Sequence, residues 1–373
     1  MVENTFKNID DLVEFVNNEF SHLHEEKTFF GNERKEFQQN FLIKAGETAV
    51  LTLVLFFLFD AAVPAKDLIS DFRPARGASN ELPRDARVGQ LGPWNTRILE
   101  AISQDGLRWR RTGHIVADQV DVPCAVVDDK GRVWLYSVTW AKAVRNRIVV
   151  AIGRGNDWVY KRVNVERLER GWAVPVDPTV VRMKAGRVRL YFTSNGGPRG
   201  RPKTFSAVSD DWLRFKIEKG VRFESGRRVL DPSVLAISSG YVLFAGGGPD
   251  GNHMAVSADG LDFERVKAPR LDGLILSNGL AVQGGFRYYA FTQTGRPGTP
   301  RKLRSVFSPD GRRWKVESGV RLAPDRSNEL ETGEVKDPTV VRMPDGSYRM
   351  YYVTGIPGSS AETKDGAGHR RRR

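Results

Sequence analysis

One cysteine, Cys124, stands in 373 residues, which excludes an internal disulfide and any multi-cysteine zinc site. It lies in an apolar stretch and reads as a buried small hydrophobe rather than a nucleophile. The five histidines show no metal-ligand spacing, so neither a metal nor another cofactor is expected. A phosphate-binding loop is missing too: Gly153 and Gly155 open no helical pattern, and the 37 glycines instead fit an all-β chain with many tight turns. No apolar run reaches the length of a membrane span. The longest, Ala49 to Phe59, is eleven residues broken only by Thr52, where about 20 are needed.

What is present is repetition. Asp337-Pro-Thr-Val-Val-Arg-Met343 is followed by the turn Pro344-Asp-Gly346 and a return from Tyr348 to Thr354, two antiparallel strands joined by a tight turn. Its first seven residues recur letter for letter at Asp177 to Met183. Looser copies begin at Asp231-Pro-Ser-Val, Asp121-Val-Pro and Leu276-Ser-Asn-Gly, which makes five hairpins. Between them falls Ser-x-Asp-Gly-x-x-aromatic, at Ser103 to Trp109, Ser257 to Phe263 and Ser308 to Trp314. Ser209 to Phe215 keeps the frame with Trp212 in place of glycine, and Asn156-Asp-Trp158 is a degenerate copy. Each unit then supplies four strands, two from the hairpin and two around the Asp-Gly turn, which is the composition of a propeller blade. The first Asp-Gly unit precedes the first hairpin, and the last hairpin has none after it. The simplest closure lets the N-terminal strands complete the C-terminal blade.

The expected fold is therefore an all-β, five-bladed β-propeller over 97–357 with an N-terminal helical and apolar extension. Residues 1–44 are acidic, with Ile9, Leu12, Val13, Val16 and Phe20 at helical spacing. Residues 45–65 resemble a signal peptide or signal anchor, with Lys44 before the apolar run and Ala61, Ala62 and Ala65 near a cleavage site. Either the start lies near Leu42, or 49–65 is an uncleaved membrane anchor; a buried helix is the bland alternative. Both membrane readings make the propeller extracytoplasmic. Residues 66–96 form an irregular lead-in expected to wrap the ring, and 358–373 a basic tail. The net charge of +13 comes from arginines spread through all blades, the pattern of a solvated face. Nucleic acid is not expected, and an anionic glycan suits a positive funnel better.

Inner strands of a propeller run beside one axis, so equivalent ends meet at one mouth. The repeats place Asp121, Asp177, Asp231, Asn278 and Asp337 there. Converging carboxylates repel, and at least one should be pushed up in pKa. Two carboxyls flanking a sugar are what glycoside hydrolysis requires. The same aspartates could instead cap backbone N–H groups at strand entrances. Trp140 and Trp172, beside inner strands, suit sugar stacking, and Glu331 and Glu334 lead toward the last inner strand. The turn aspartates Asp105, Asp211, Asp259 and Asp310 read as scaffold, and Trp109 and Trp314 as core. His253 reads as a satisfied polar residue.

Asp-Pro-[Thr/Ser]-Val with Asp-Gly-x-Tyr-x-Met-Tyr-Tyr, interleaved with Ser-x-Asp-Gly-x-x-Trp, resembles the five-bladed-propeller glycoside hydrolases of families 43 and 32 over 97–355. That resemblance implies a base or nucleophile at Asp121 and a pKa-tuning orienter at Asp177. The family's third-blade acid is a glutamate; here the third blade offers Asp231, with Glu331 and Glu334 as the other candidates. Two rivals stay open: a non-catalytic carbohydrate-binding propeller and a sialidase-like exo-glycosidase. The latter family has six blades and one more residue between Asp and Gly in its turns.

Overall fold

The computed structural model describes residues 69–359, apart from short gaps at 85, 87–89, 167, 169–170, 198–199, 227, 248–250 and 293–299. The expected helix, apolar segment and basic tail lie outside them.

Two strands open the ring, β1 (Thr96–Ser103) and β2 (Arg110–Asp118). The first full blade is β3 (Val120–Val127), β4 (Val133–Thr139), β5 (Arg147–Arg154) and β6 (Asp157–Arg162), in that order. The second starts with the short β7 (Asn164–Glu166) and continues with β8 (Val176–Arg182), β9 (Val188–Ser194), β10 (Lys203–Ser209) and β11 (Arg214–Ile217). The third is β12 (Leu230–Ile237), β13 (Gly240–Gly246), β14 (Asn252–Ser257) and β15 (Glu264–Val266), and the fourth is β16 (Leu274–Val282), β17 (Gly285–Thr292), β18 (Leu303–Ser308) and β19 (Lys315–Val316). The hairpin β20 (Val335–Arg342) and β21 (Tyr348–Gly355) then pairs with β1, giving the fifth sheet in the order β2-β1-β21-β20. Inner strands adjoin in the sequence β3, β8, β12, β16, β20 and back to β3, so the ring is closed. Five blades and the expected closure are both present.

One strand was not foreseen. β7 adds a fifth strand to the second blade, parallel to β11, with Arg214 opposite Asn164. The lead-in covers one seam rather than encircling the ring. The Asp71 N–H donates to the Tyr160 carbonyl (2.8 Å) on the outer strand of the first blade. Ala75 bridges Asp118, and the Gly77 N–H donates to the Asp118 carboxylate (2.7 Å). That carboxylate also pairs with Arg97 (2.9 Å) across the closing strands.

The Asp-Gly turns are scaffold. In each, the serine hydroxyl donates to the aspartate two residues on, and one aspartate oxygen accepts two successive backbone N–H groups. The N–H groups of Leu261 and Asp262 hold the Asp259 carboxyl down at about 2. The aromatic that ends each motif packs across a blade boundary: Trp314 sits edge-on to Phe244 (5.8 Å) and Trp109 edge-on to Tyr289 (5.8 Å).

Candidate active site at the axial mouth

Every inner strand breaks register near its start, and the break builds the site. In β8, β12 and β20 the ladder skips two residues, the Asp-Pro pair: Asp177-Pro178, Asp231-Pro232 and Asp337-Pro338. Proline has no N–H to lose there, and the extra residues bulge toward the axis. The three aspartates take positive φ, 54°, 49° and 45°, a region that Asp tolerates better than most residues.

In β3 the skipped pair is Val122-Pro123, and Val122 takes the positive φ of 49°. Asp121 therefore stands one residue ahead of the other aspartates, in the place that Lys336 fills in β20. A β-branched residue in the left-handed region is strained by about 1–3 kcal/mol. Val122→Asn is expected to raise the melting temperature, on the order of 1 kcal/mol of added stability; an unchanged or lower melting temperature contradicts this account of the bulge. In β16 only Ser277 is skipped. Ser277, not Asn278, thus occupies the aspartate position in the fourth blade.

The offset gives Asp121 a partner. Lys336 Nζ lies 2.5 Å from Asp121 Oδ1 and 2.5 Å from Asp337 Oδ2. Its side chain is 11% exposed, so the ammonium is enclosed between two carboxylates from neighbouring blades. Lys336 is the residue that motif reading missed; one cation before an aspartate looks like an ordinary solvated strand position. Burial lowers its pKa, but Asp121 and Asp337 outweigh that and keep it charged. Asp121 Oδ1 also accepts the Val122 N–H (3.0 Å). Burial pushes its carboxyl up, the Lys336 ammonium opposes this, and Asp337 adds to it.

The other two carboxylates have no ammonium bound to them. The Asp231 N–H points at Asp177 Oδ2 (3.4 Å). Burial raises the Asp177 carboxyl above its usual range. Asp231 is raised well above the usual carboxylate range, first by burial, then by the negative charge of Asp177 and Asp337. Asp231 and Asp337 line a small depression at the mouth, walled by Pro123, Pro178, Pro232, Ser277 and Phe291.

The next residue along each inner strand ties the ring together. Thr339 Oγ1 accepts the Ala125 N–H (2.9 Å), Cys124 Sγ accepts the Val180 N–H (3.2 Å), and Asn278 Oδ1 accepts the Val340 N–H (2.8 Å). Asn278 thus joins the fourth blade to the fifth. The cysteine is an inter-blade acceptor; burial pushes its thiol up to about 11, away from nucleophilic use.

The remaining candidates stand elsewhere. Glu331 is buried with Arg111 (2.5 Å) and the Tyr352 hydroxyl (2.6 Å), and Glu334 pairs with Arg301 (2.7 Å). Both glutamates are held by arginine outside the carboxylate cluster. Trp140 follows β4 at the end that carries Asp121, but its indole N–H donates to the Glu81 carbonyl (2.6 Å) and its face carries Arg145 (5.0 Å). Trp172 packs on Phe205 (4.3 Å). His253 lies beside Phe223, with Nε2 3.4 Å from Ser225 Oγ. Among the described residues no cluster of His, Cys, Asp or Glu is arranged to hold a metal ion.

No family model matches the chain, and no curated protein matches it. Solved structures do. A thermostable family-43 glycoside hydrolase superposes with a TM-score of 0.50 at 15% identity, covering 66% of this chain and 95% of that one. An alpha-L-arabinofuranosidase from Clostridium thermocellum gives 0.45 at 18% identity, covering 60% of this chain and 79% of that one. At these identities the likeness is one of fold: the chain is built on the five-bladed propeller found in the family-43 glycoside hydrolase.

Proposed function

We propose that this chain is a glycan-active propeller that hydrolyses O-glycosidic bonds with the carboxylates of its axial mouth. The observation that carries the reading is the convergence of Asp121, Asp177, Asp231 and Asp337 from four blades, with one carboxyl pushed far up and another bound to an ammonium. A pair of carboxyls in opposite protonation states is what the chemistry needs. Asp231 gives its proton to the glycosidic oxygen as the carbon–oxygen bond breaks. Asp121 takes a proton from the water that attacks the anomeric carbon. Asp177, held by the Asp231 N–H, orients the acid and keeps its pKa high. The catalytic proton returns to Asp231 through solvent, so the site ends as it began. The propeller of the family-43 glycoside hydrolase supports the same class of activity.

A panel of aryl glycosides and oligosaccharides tests the reading. Turnover of at least one substrate is expected, lost in Asp121→Asn, which still folds with a lowered melting temperature, since the change removes one of the two carboxylates on the buried Lys336 ammonium. No turnover on any substrate, together with measurable sugar binding, would favour a second reading, a non-catalytic carbohydrate-binding propeller. The specific observation behind that rival is Lys336, whose single ammonium is already bound by two of the four carboxylates. The five-sheet ring fits the sialidase-like alternative less well than either.

We also place the propeller outside the cytoplasm, on the apolar stretch 49–59 and the alanines that follow. No helix among the described residues is long and apolar enough to cross a membrane, and 49–65 lies outside them. N-terminal sequencing of the native protein is expected to start near Ala61–Ala65, or to find the whole chain in the membrane fraction. An intact chain in a soluble cytosolic fraction would rule export out. The net charge of +13 favours a glycan that carries acidic groups.

A further inference from the structure

We propose that Lys336 is a positioning residue that sets the two sides of the axial mouth apart: its ammonium binds Asp121, which serves as the ionised base, and leaves Asp231, on the far side, as the proton donor. The inference deepens the hydrolase reading and rests on it for the word "base"; the division of charge itself does not.

Register places Lys336 and Asp121 at the same point of neighbouring inner strands, each one residue ahead of the bulge. Their side chains meet at 2.5 Å, and the same ammonium reaches back 2.5 Å to Asp337 on its own strand. No other blade carries a charge at that point: the equivalent residues are Val176, Leu230 and Leu276. The ammonium is therefore one fixed charge on one side of the mouth, between β3 and β20. On the far side, β8 and β12 bring Asp177 and Asp231, and β16 brings only Leu276, Ser277 and Asn278.

A charge placed off-centre acts unequally. The attraction between opposite charges falls as the distance between them grows. The two carboxylates touching Lys336 gain most from it. Asp231 has no ammonium in contact, and its carboxyl is pushed well up, first by burial and then by the charges of Asp177 and Asp337. Four equal aspartates around an axis would share protons without preference, and neither an acid nor a base would be defined. One lysine breaks that symmetry. It keeps its own proton throughout and touches neither bond that changes.

Carbon-13 NMR of protein labelled at the aspartate carboxyl carbons tests the division directly and needs no substrate. Wild type, Lys336→Met, Lys336→Arg and Asp337→Asn are titrated from pH 4 to 9. In Lys336→Met the Asp121 resonance is expected to titrate more than about one pH unit higher than in wild type, while Lys336→Arg restores the wild-type position. Should Lys336→Met not fold, Asp337→Asn leaves the ammonium to Asp121 alone, and Asp121 is expected to titrate lower than in wild type. An Asp121 titration unmoved in whichever of these variants folds would overturn the inference. Turnover, where a glycoside responds, is read on the same samples: the acid limb of kcat/KM should move up in Lys336→Met and return in Lys336→Arg. Absence of turnover with the NMR shift present would sink the hydrolase reading and leave the division standing.

Discussion

Asp231→Asn is expected to stabilise the folded protein near neutral pH while removing most turnover of substrates with poor leaving groups. The two effects have one cause. Burial and the charges of Asp177 and Asp337 raise the Asp231 pKa in the fold, whereas the unfolded chain returns it to the ordinary carboxylate range. Between those two values the folded state binds more protons than the unfolded state. Stability contributed by Asp231 is therefore full below the unfolded pKa and lost as pH rises through the folded one, by at most ~1.4 kcal/mol per pH unit. Asparagine keeps the shape, cannot ionise and escapes that loss. Thermal melts from pH 4 to 8 should show wild type losing stability with rising pH faster than the variant. Loss of a general acid lowers the rate by roughly 10²–10⁴-fold. A variant less stable than wild type at pH 7 would show that Asp231 serves the scaffold.

Asp118→Ala tests the closure of the ring. Asp118 is buried, pairs with Arg97 (2.9 Å) between β1 and β2, and accepts the Gly77 N–H of the lead-in (2.7 Å). Removing it leaves a largely buried guanidinium without its carboxylate, which costs about 3–5 kcal/mol. The expected result is a large fall in the denaturant midpoint, with earlier proteolysis between Thr96 and Asp118 than elsewhere. Replacing both partners, Arg97→Met with Asp118→Leu, should cost less than the single change, because no charge is stranded. A single variant as stable as wild type would mean that the closing strands are held by packing and ladder bonds alone.

The ring was legible because its signals are local and repeated. Asp-Pro at a strand entrance, Asp-Gly turns and alternating β-branched residues each constrain a few neighbours, and five rough copies average out the noise. The closure followed from counting units. What escaped depended on pairing between distant segments. β7 is three residues long and pairs in parallel with β11, so no hairpin announces it. The offset of Asp121 was hidden because Asp121-Val-Pro was aligned on its aspartate; the fold aligns it on its proline. Lys336 escaped for the same reason, since its partner lies on β3, more than two hundred residues earlier in the chain. Glu331 and Glu334 sit close to the last inner strand in sequence, yet Arg111 and Arg301 hold them in ion pairs. Spacing along the chain does not reveal such partners.

The most direct test of the axial carboxylates as a split acid and base is the leaving-group dependence of Asp231→Asn. Two glycosides of the responsive sugar are compared, one with a strongly acidic phenol as leaving group and one with an alcohol. The account predicts that the activated substrate loses less than about tenfold in kcat/KM, while the alcohol loses at least about a hundredfold, because only the second needs the Asp231 proton. Equal losses on both substrates, or no loss on either, would contradict it.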